Sequence, residues 1–152
     1  MERVHLSLNP ENYTEVELAY AAGIVDGEGY IAIVKQPRTN HGGYLLKVVV
    51  SNTDIKLMEW FILHFGGKLG EQEHRANPNW KVAYIWSLYG LEAANFLKLI
   101  QPFMLLKSPQ VDLVLEFASL GYYNHSGIPE DVVYERMELA NMVSMLNQKG
   151  RR

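Results

Sequence analysis

Carboxylate and glycine alternate at Asp26-Gly27-Glu28-Gly29, where the small, apolar stretch LAYAAGIV runs out. A helix that stops there delivers acidic oxygens to a fixed point, and glycine permits a sharp exit and close backbone approach. Hard divalent cations prefer carboxylate and carbonyl oxygens, so this pattern suits a metal-dependent site. At helical spacing Ala19, Ala22, Gly23 and Asp26 share one face that is almost free of side chains. An identical helix could approach closely on that face, bringing a second Glu28 to a shared axis. The plainer reading is a buried helix that turns into a strand, with Asp26 polar at its end and Glu28 in a turn.

The elements around this segment follow one pattern. Thr14 followed by Glu17 is a capping-box signal opening a helix that runs to about residue 26. Strands are expected at about 30–36 and 44–51, with Ile31 and Ile33 on one side and Tyr30, Ala32, Val34 and Gln36 on the other. A helix follows from a cap at Thr53 or Asp54 to the stop at Gly66-Gly67. A second strand pair is expected at 68–75 and 80–88, then helices at 91–100, 110–120 and 130–148. Pro109 sits at a first helical position. The order helix, strand, strand, helix, strand, strand, helix is an α+β arrangement: a four-stranded antiparallel sheet with helices on one face and further helices at the C-terminal end.

AAGIVDGEG resembles the signature of the LAGLIDADG homing endonucleases at Ala22, Gly23, Ile24, Val25, Asp26, Gly27, Glu28 and Gly29, with Ala21 standing where leucine is usual. The segments SNTDIKLMEWFILHFGGKLG, YIWSLYG, QPFMLLKSPQVDLVLEF and ERMELANMVSMLNQKG resemble later blocks of that family, so the likeness spans about residues 14–150. It implies the αββαββα LAGLIDADG-type fold, with a curved sheet seated in the DNA major groove. One motif in the chain implies that two chains make the site, as a homodimer on a pseudo-palindromic duplex. It further implies a site-specific, Mg²⁺-dependent DNA endonuclease of the kind that serves intron homing.

Length and composition bound these readings. A chain of 152 residues, 48% hydrophobic and 20% charged, fits a single globular domain over residues 1–152. The absence of cysteine removes disulfides, thiolate zinc sites and cysteine nucleophiles, and makes an intracellular setting natural. Neither a signal-peptide core nor an apolar run of membrane-spanning length occurs, so a soluble protein of the cytoplasm or an organelle matrix, with no membrane partner, is expected. The formal charge of −3 counts against nucleic acid at first sight. Its distribution does not: residues 1–28 hold six acids against one base, while residues 29–89 hold seven bases against four acids.

Several residues take roles on this basis. Hydrolysis of a phosphodiester needs an activated water and charge stabilisation at phosphorus, which metal ions supply together. Glu28 is the expected metal ligand, with the Gly27 carbonyl beside it and Mg²⁺ the ion; Asp26 reads as stabilising the helix end. The resemblance implies that Lys107, following QPFMLL, stabilises charge or polarises water near the scissile phosphate. It also places Asp54 near a water-ordering position, although a cap for the following helix is an equal reading. Candidate DNA readers are Gln36, Arg38, Lys47, Ser51, Gln72, His74, Arg75 and, if the aromatics of the fourth strand pack under the helices, Lys81. The five histidines are scattered and form no metal-ligand spacing, with His64 packed or capping at a helix end. Two other functions stay open: an RNA maturase or DNA-binding regulator that keeps the scaffold without cleavage, and a noncatalytic dimerisation module.

Overall fold

A computed structural model describes residues 3–36, 43–72, 77–121 and 127–149. Arg38, His74 and Arg75 lie outside the described residues. The strands are β1 (Arg3–Val4), β2 (Gly29–Lys35), β3 (Tyr44–Asn52), β4 (Gly67–Gln72) and β5 (Ala83–Tyr89). The helices are α1 (Glu15–Glu28), α2 (Ile55–Phe65), α3 (Gly90–Ile100), α4 (Ser108–Ser119) and α5 (Glu130–Lys149). The sheet is antiparallel with strand order β1-β4-β5-β3-β2, so the two-residue β1 adds a fifth strand to the expected four.

The helix that carries the motif is set at its start by a complete capping box. The Thr14 hydroxyl accepts from the Glu17 N–H at 3.1 Å, and the Glu17 carboxylate accepts from the Thr14 N–H at 3.2 Å. At its end α1 does not stop near Asp26 but continues through Glu28, with the Gly29 N–H donating to the Val25 carbonyl. Gly29 is needed for space rather than for its φ of −85°, since a Cβ there would lie 2.6 Å from the Val25 oxygen. Helix therefore passes directly into β2 without a turn.

Pleat alternation gives the sheet two faces. One carries Ile31, Ile33, Leu46, Val48, Val50, Trp86 and Leu88, all buried beneath the helices. Phe61, Phe65 and Phe96 close on Trp86, with ring centroids 4.6 Å apart for Phe61–Trp86 and 5.2 Å for Trp86–Phe96. The indole N–H of Trp86 is satisfied by the Gly66 carbonyl at 2.6 Å. Gly66, at φ 69°, ends α2 as expected. The expected strand from residue 80 starts only at Ala83, and Trp80, 58% exposed, does not join the aromatics under the helices. Asn77 and Pro78 already commit the chain to a turn there, with the Trp80 N–H donating to the Asn77 carbonyl. Among the described residues no helix is long and apolar enough to cross a membrane.

His64 ties the two first helices together. One ring nitrogen lies 2.8 Å from the Trp60 carbonyl and the other 3.0 Å from the Glu17 carboxylate. Hydrogen bonds from Thr14, then the charge and hydrogen bond of His64, hold the Glu17 carboxyl below the ordinary carboxylate range. A lowered folded-state pKa contributes stability above the ordinary carboxylate titration and loses it as pH falls through the lowered value. Glu17→Gln is accordingly expected to lower stability at pH above the ordinary carboxylate range and to leave it unchanged at the acid end, so that the acid limb of the stability–pH curve flattens, as read by urea unfolding across a pH series. Truncating Phe61, fully buried at the centre of the aromatic cluster, to alanine should cost about 3–5 kcal/mol in the same assay.

Candidate functional site

Asp26 is buried, and both its carboxylate oxygens face inward. One accepts the Leu105 N–H at 2.8 Å; the other accepts the Leu106 and Lys107 N–H groups at 3.1 and 3.0 Å. A carboxylate bonded to three consecutive amides fixes the segment before α4 against the last turn of α1. The Lys107 ammonium then donates to the Asp26 main-chain carbonyl at 2.5 Å, a cation held at the negative end of the helix. The Asp26 side chain is thus buried against residues 105–107 of its own chain and does not stand on the exposed side of α1.

Glu28 occupies the last position of α1 with its side chain exposed. Its Oε2 accepts the Asn52 amide at 2.8 Å, and the Asn52 Oδ1 accepts the Asp54 N–H at 2.8 Å. The second bond orients the amide, so its NH₂ end faces Glu28. Asp54 caps α2, its carboxylate accepting the Lys56 N–H at 3.0 Å. Of the two readings for Asp54 the structure displays the cap, and the polar group beside Glu28 is Asn52, which sequence reasoning passed over. The available signal was the polar run SNTD at a strand exit, but a side-chain contact across 24 residues leaves no periodicity to read.

The site fits a hard cation in its chemistry. It offers the Glu28 carboxylate and the helix-terminal carbonyl of Gly27, at the end of a helix whose dipole favours positive charge. Among the described residues no group of three or more His, Asp or Glu side chains is arranged to hold a metal ion. One chain brings a single carboxylate, and a full oxygen shell needs phosphate, water or another chain. A cleft of about 420 Å³ opens beside Lys107, walled also by Gly29, Tyr30, Gln110 and Asn147.

The remaining α1 residues divide cleanly. Leu18, Ala21, Ala22 and Val25 are buried in the chain's own core, so Ala22, expected on the interhelical face, belongs inside. Ala22 lies on the side of α1 that meets the core, with Leu18, Ala21 and Val25. The exposed stripe is Val16, Ala19, Tyr20, Gly23 and Gly27. A Cβ added at Gly23 or Gly27 would meet nothing else within 4 Å, so no packing inside the chain accounts for glycine at either position. Leu105 and Leu106, 79% and 70% exposed, stand next to the end of this helix.

The second face of the sheet is left uncovered by helices. Register places on it Lys47, Ser51 and Gln72, three of the expected readers, with Val34, Leu45, Val49 and Ile85 between them. Gln36 follows the end of β2 in the same alternation, and its N–H bonds the Gly43 carbonyl. Lys81 is exposed but precedes β5 by two residues. Among the described strand residues of this face there is no acidic side chain.

No family model and no curated protein sequence matches the chain. Among solved structures, this is the fold of the homing endonucleases. The homing endonuclease I-CvuI bound to its target in the presence of Ca superposes with TM-score 0.71 at 20% identity, over 95% of this chain and 88% of that one. The archaeal intron-encoded homing endonuclease I-Vdi141I, complexed with DNA, superposes with TM-score 0.70 at 21% identity, over 91% of this chain and 88% of that one. The architecture is therefore the one that the LAGLIDADG resemblance implies, with β1 added at one edge.

The Asp26 network yields a direct test. Asp26→Asn keeps the shape but loses the charge that three amides share, and should cost roughly 1–3 kcal/mol. For a chain of this size that is a fall of roughly 2–12 °C in the unfolding midpoint by differential scanning calorimetry.

Proposed function

We propose that the protein is a homodimeric, Mg²⁺-dependent, site-specific DNA endonuclease. The observation that carries this reading is the arrangement at the end of α1. An exposed acid, Glu28, is steadied by Asn52, a lysine is locked to the same helix end by Asp26, and both adjoin a sheet face whose described strand residues include cations and no acids. The matched solved structures are DNA complexes of homing endonucleases, one in the presence of Ca and one in the presence of Mg with its DNA not cleaved, which supports a DNA substrate and a divalent ion.

On this reading two chains join along the exposed stripe of α1. Glycine in a helix interior costs about 1 kcal/mol relative to alanine. Gly23 and Gly27 are compensated if a partner helix fills the space above them. Each chain would then offer one Glu28 carboxylate and one Gly27 carbonyl to a divalent cation. When bound, such a cation would supply Lewis-acid stabilisation of the phosphorus-centred charge and an activated water. Asn52 holds the Glu28 carboxylate in one rotamer. Lys107, held at the Asp26 carbonyl, places an ammonium beside the reacting phosphate. The open face contributes Lys47, Ser51 and Gln72 to the major groove, where their donors and acceptors meet base edges; Gln36, Lys81 and, outside the described residues, Arg38, His74 and Arg75 take the flanking positions.

The experiment is selection of cleaved duplexes from a randomised library with Mg²⁺, followed by single-turnover rates on the recovered site. Glu28→Gln should bind the site as wild type does and cut it at least about 100-fold more slowly; Lys107→Met should show the same split. Gln72→Ala should shift base preference at one position in each half-site, with a penalty of roughly 1–3 kcal/mol for the original base. Equal cutting by wild type and Glu28→Gln would remove the metal assignment, and tight binding without cleavage by wild type would favour the DNA-binding regulator.

A further inference from the structure

We infer that β1 is a clamp on the duplex backbone, in which Arg3, with Lys68 beside it, binds phosphate at the wall of the groove. The inference rests on the reading of the open face as the DNA surface and adds a strand and two residues to it.

The register runs in one row across all five strands: Arg3 opposite Lys68, Lys68 opposite Ser87, Ser87 opposite Val49, and Val49 opposite Tyr30. Directly opposed residues of antiparallel strands project on the same face. Arg3 and Lys68 thus lie on the uncovered face, in a row whose other end is Tyr30, two residues beyond Glu28. Strands are spaced by about 4.8 Å, so the row spans roughly 19 Å from β1 to β2. The major groove is only about 12 Å wide. A sheet centred in the groove therefore has its outer strands over the phosphates and its inner strands over the bases.

The electrostatics agree with this placement. Like charges facing each other across a strand pair are destabilising, and folding alone does not call for Arg3 opposite Lys68. Arg3 is paired on one side only: one guanidinium nitrogen forms an ion pair with Glu92 at 3.3 Å, on a carboxylate oxygen that the His5 ring also contacts at 2.9 Å, and the group lies over the Tyr89 ring at 5.9 Å. The Lys47 ammonium lies at the same distance from that ring. A guanidinium carries five N–H donors, and the Glu92 contact engages one of them. With 39% of the side chain exposed, the rest of the fork can reach a phosphate oxygen. The contact with Glu92 also sets the direction of its effect on binding: removing that carboxylate frees the cation.

The test uses the full chain and a fluorescent duplex of arbitrary sequence, with affinity measured across a salt series. Arg3→Gln should weaken binding equally for unrelated sequences and flatten the slope of log affinity against log salt by about 0.9 for each chain on the duplex. Lys68→Gln should do the same, whereas Glu92→Gln should tighten binding. If Arg3 serves only as a structural partner of Glu92, then Arg3→Gln and Glu92→Gln will both lower the unfolding midpoint and neither will change the salt slope; that result overturns the clamp while leaving the DNA face intact. A wild-type chain that retains no duplex at the lowest salt overturns both.

Discussion

The carboxylate of Asp26 holds the candidate site together. It accepts three successive amides from residues 105–107, while the carbonyl of the same residue receives the Lys107 ammonium. Without that carboxylate, three part-buried N–H groups lose their acceptor and Lys107 loses its fixed distance from the end of α1. Charge-assisted bonds of this kind are about twice as strong as neutral ones, which is why one residue can anchor a loop that no regular structure constrains. Lys107 is thus brought to the end of α1, the helix whose last residue is Glu28.

A second constraint acts through space rather than charge. Gly29 is squeezed between helix and strand, while Gly23 and Gly27 face open space on the same helix. Three glycines within seven residues therefore do two opposite jobs. One removes a clash with the Val25 carbonyl inside the chain, and two leave room outside it. The sheet repeats this division, with one face sealed by Trp86, Phe61 and the other buried side chains and the other face open, with no acid among its described strand residues.

The sequence reveals those features that depend on local periodicity. The capping box at Thr14 and Glu17, the strand alternation around Ile31 and Ile33, the stop at Gly66 and the proline that opens α4 are all visible because each is written within a few residues. The errors occur where contacts are remote. Ala22 has the same small size as Ala19, and only the position of the core decides that it points inward. Asn52 meets Glu28 through tertiary packing, and β1 pairs with β4 across more than sixty positions, so a two-residue strand in an acidic segment carries no signal of its own. Trp80 has strand-like spacing from Tyr84 and Trp86, yet the turn at Asn77-Pro78 determines where the strand begins.

The account depends most on two chains meeting at the glycine-bearing stripe of α1. The protein contains no cysteine, so one introduced thiol reports on one position without background. Gly23→Cys should oxidise to a disulfide-linked pair that still binds duplex, because bridging needs Cα atoms within about 7 Å. Leu63→Cys, exposed on α2 and away from the stripe, should remain monomeric under the same conditions. Cross-linking at Leu63 but not at Gly23, or at neither in the presence of bound DNA, would contradict the account.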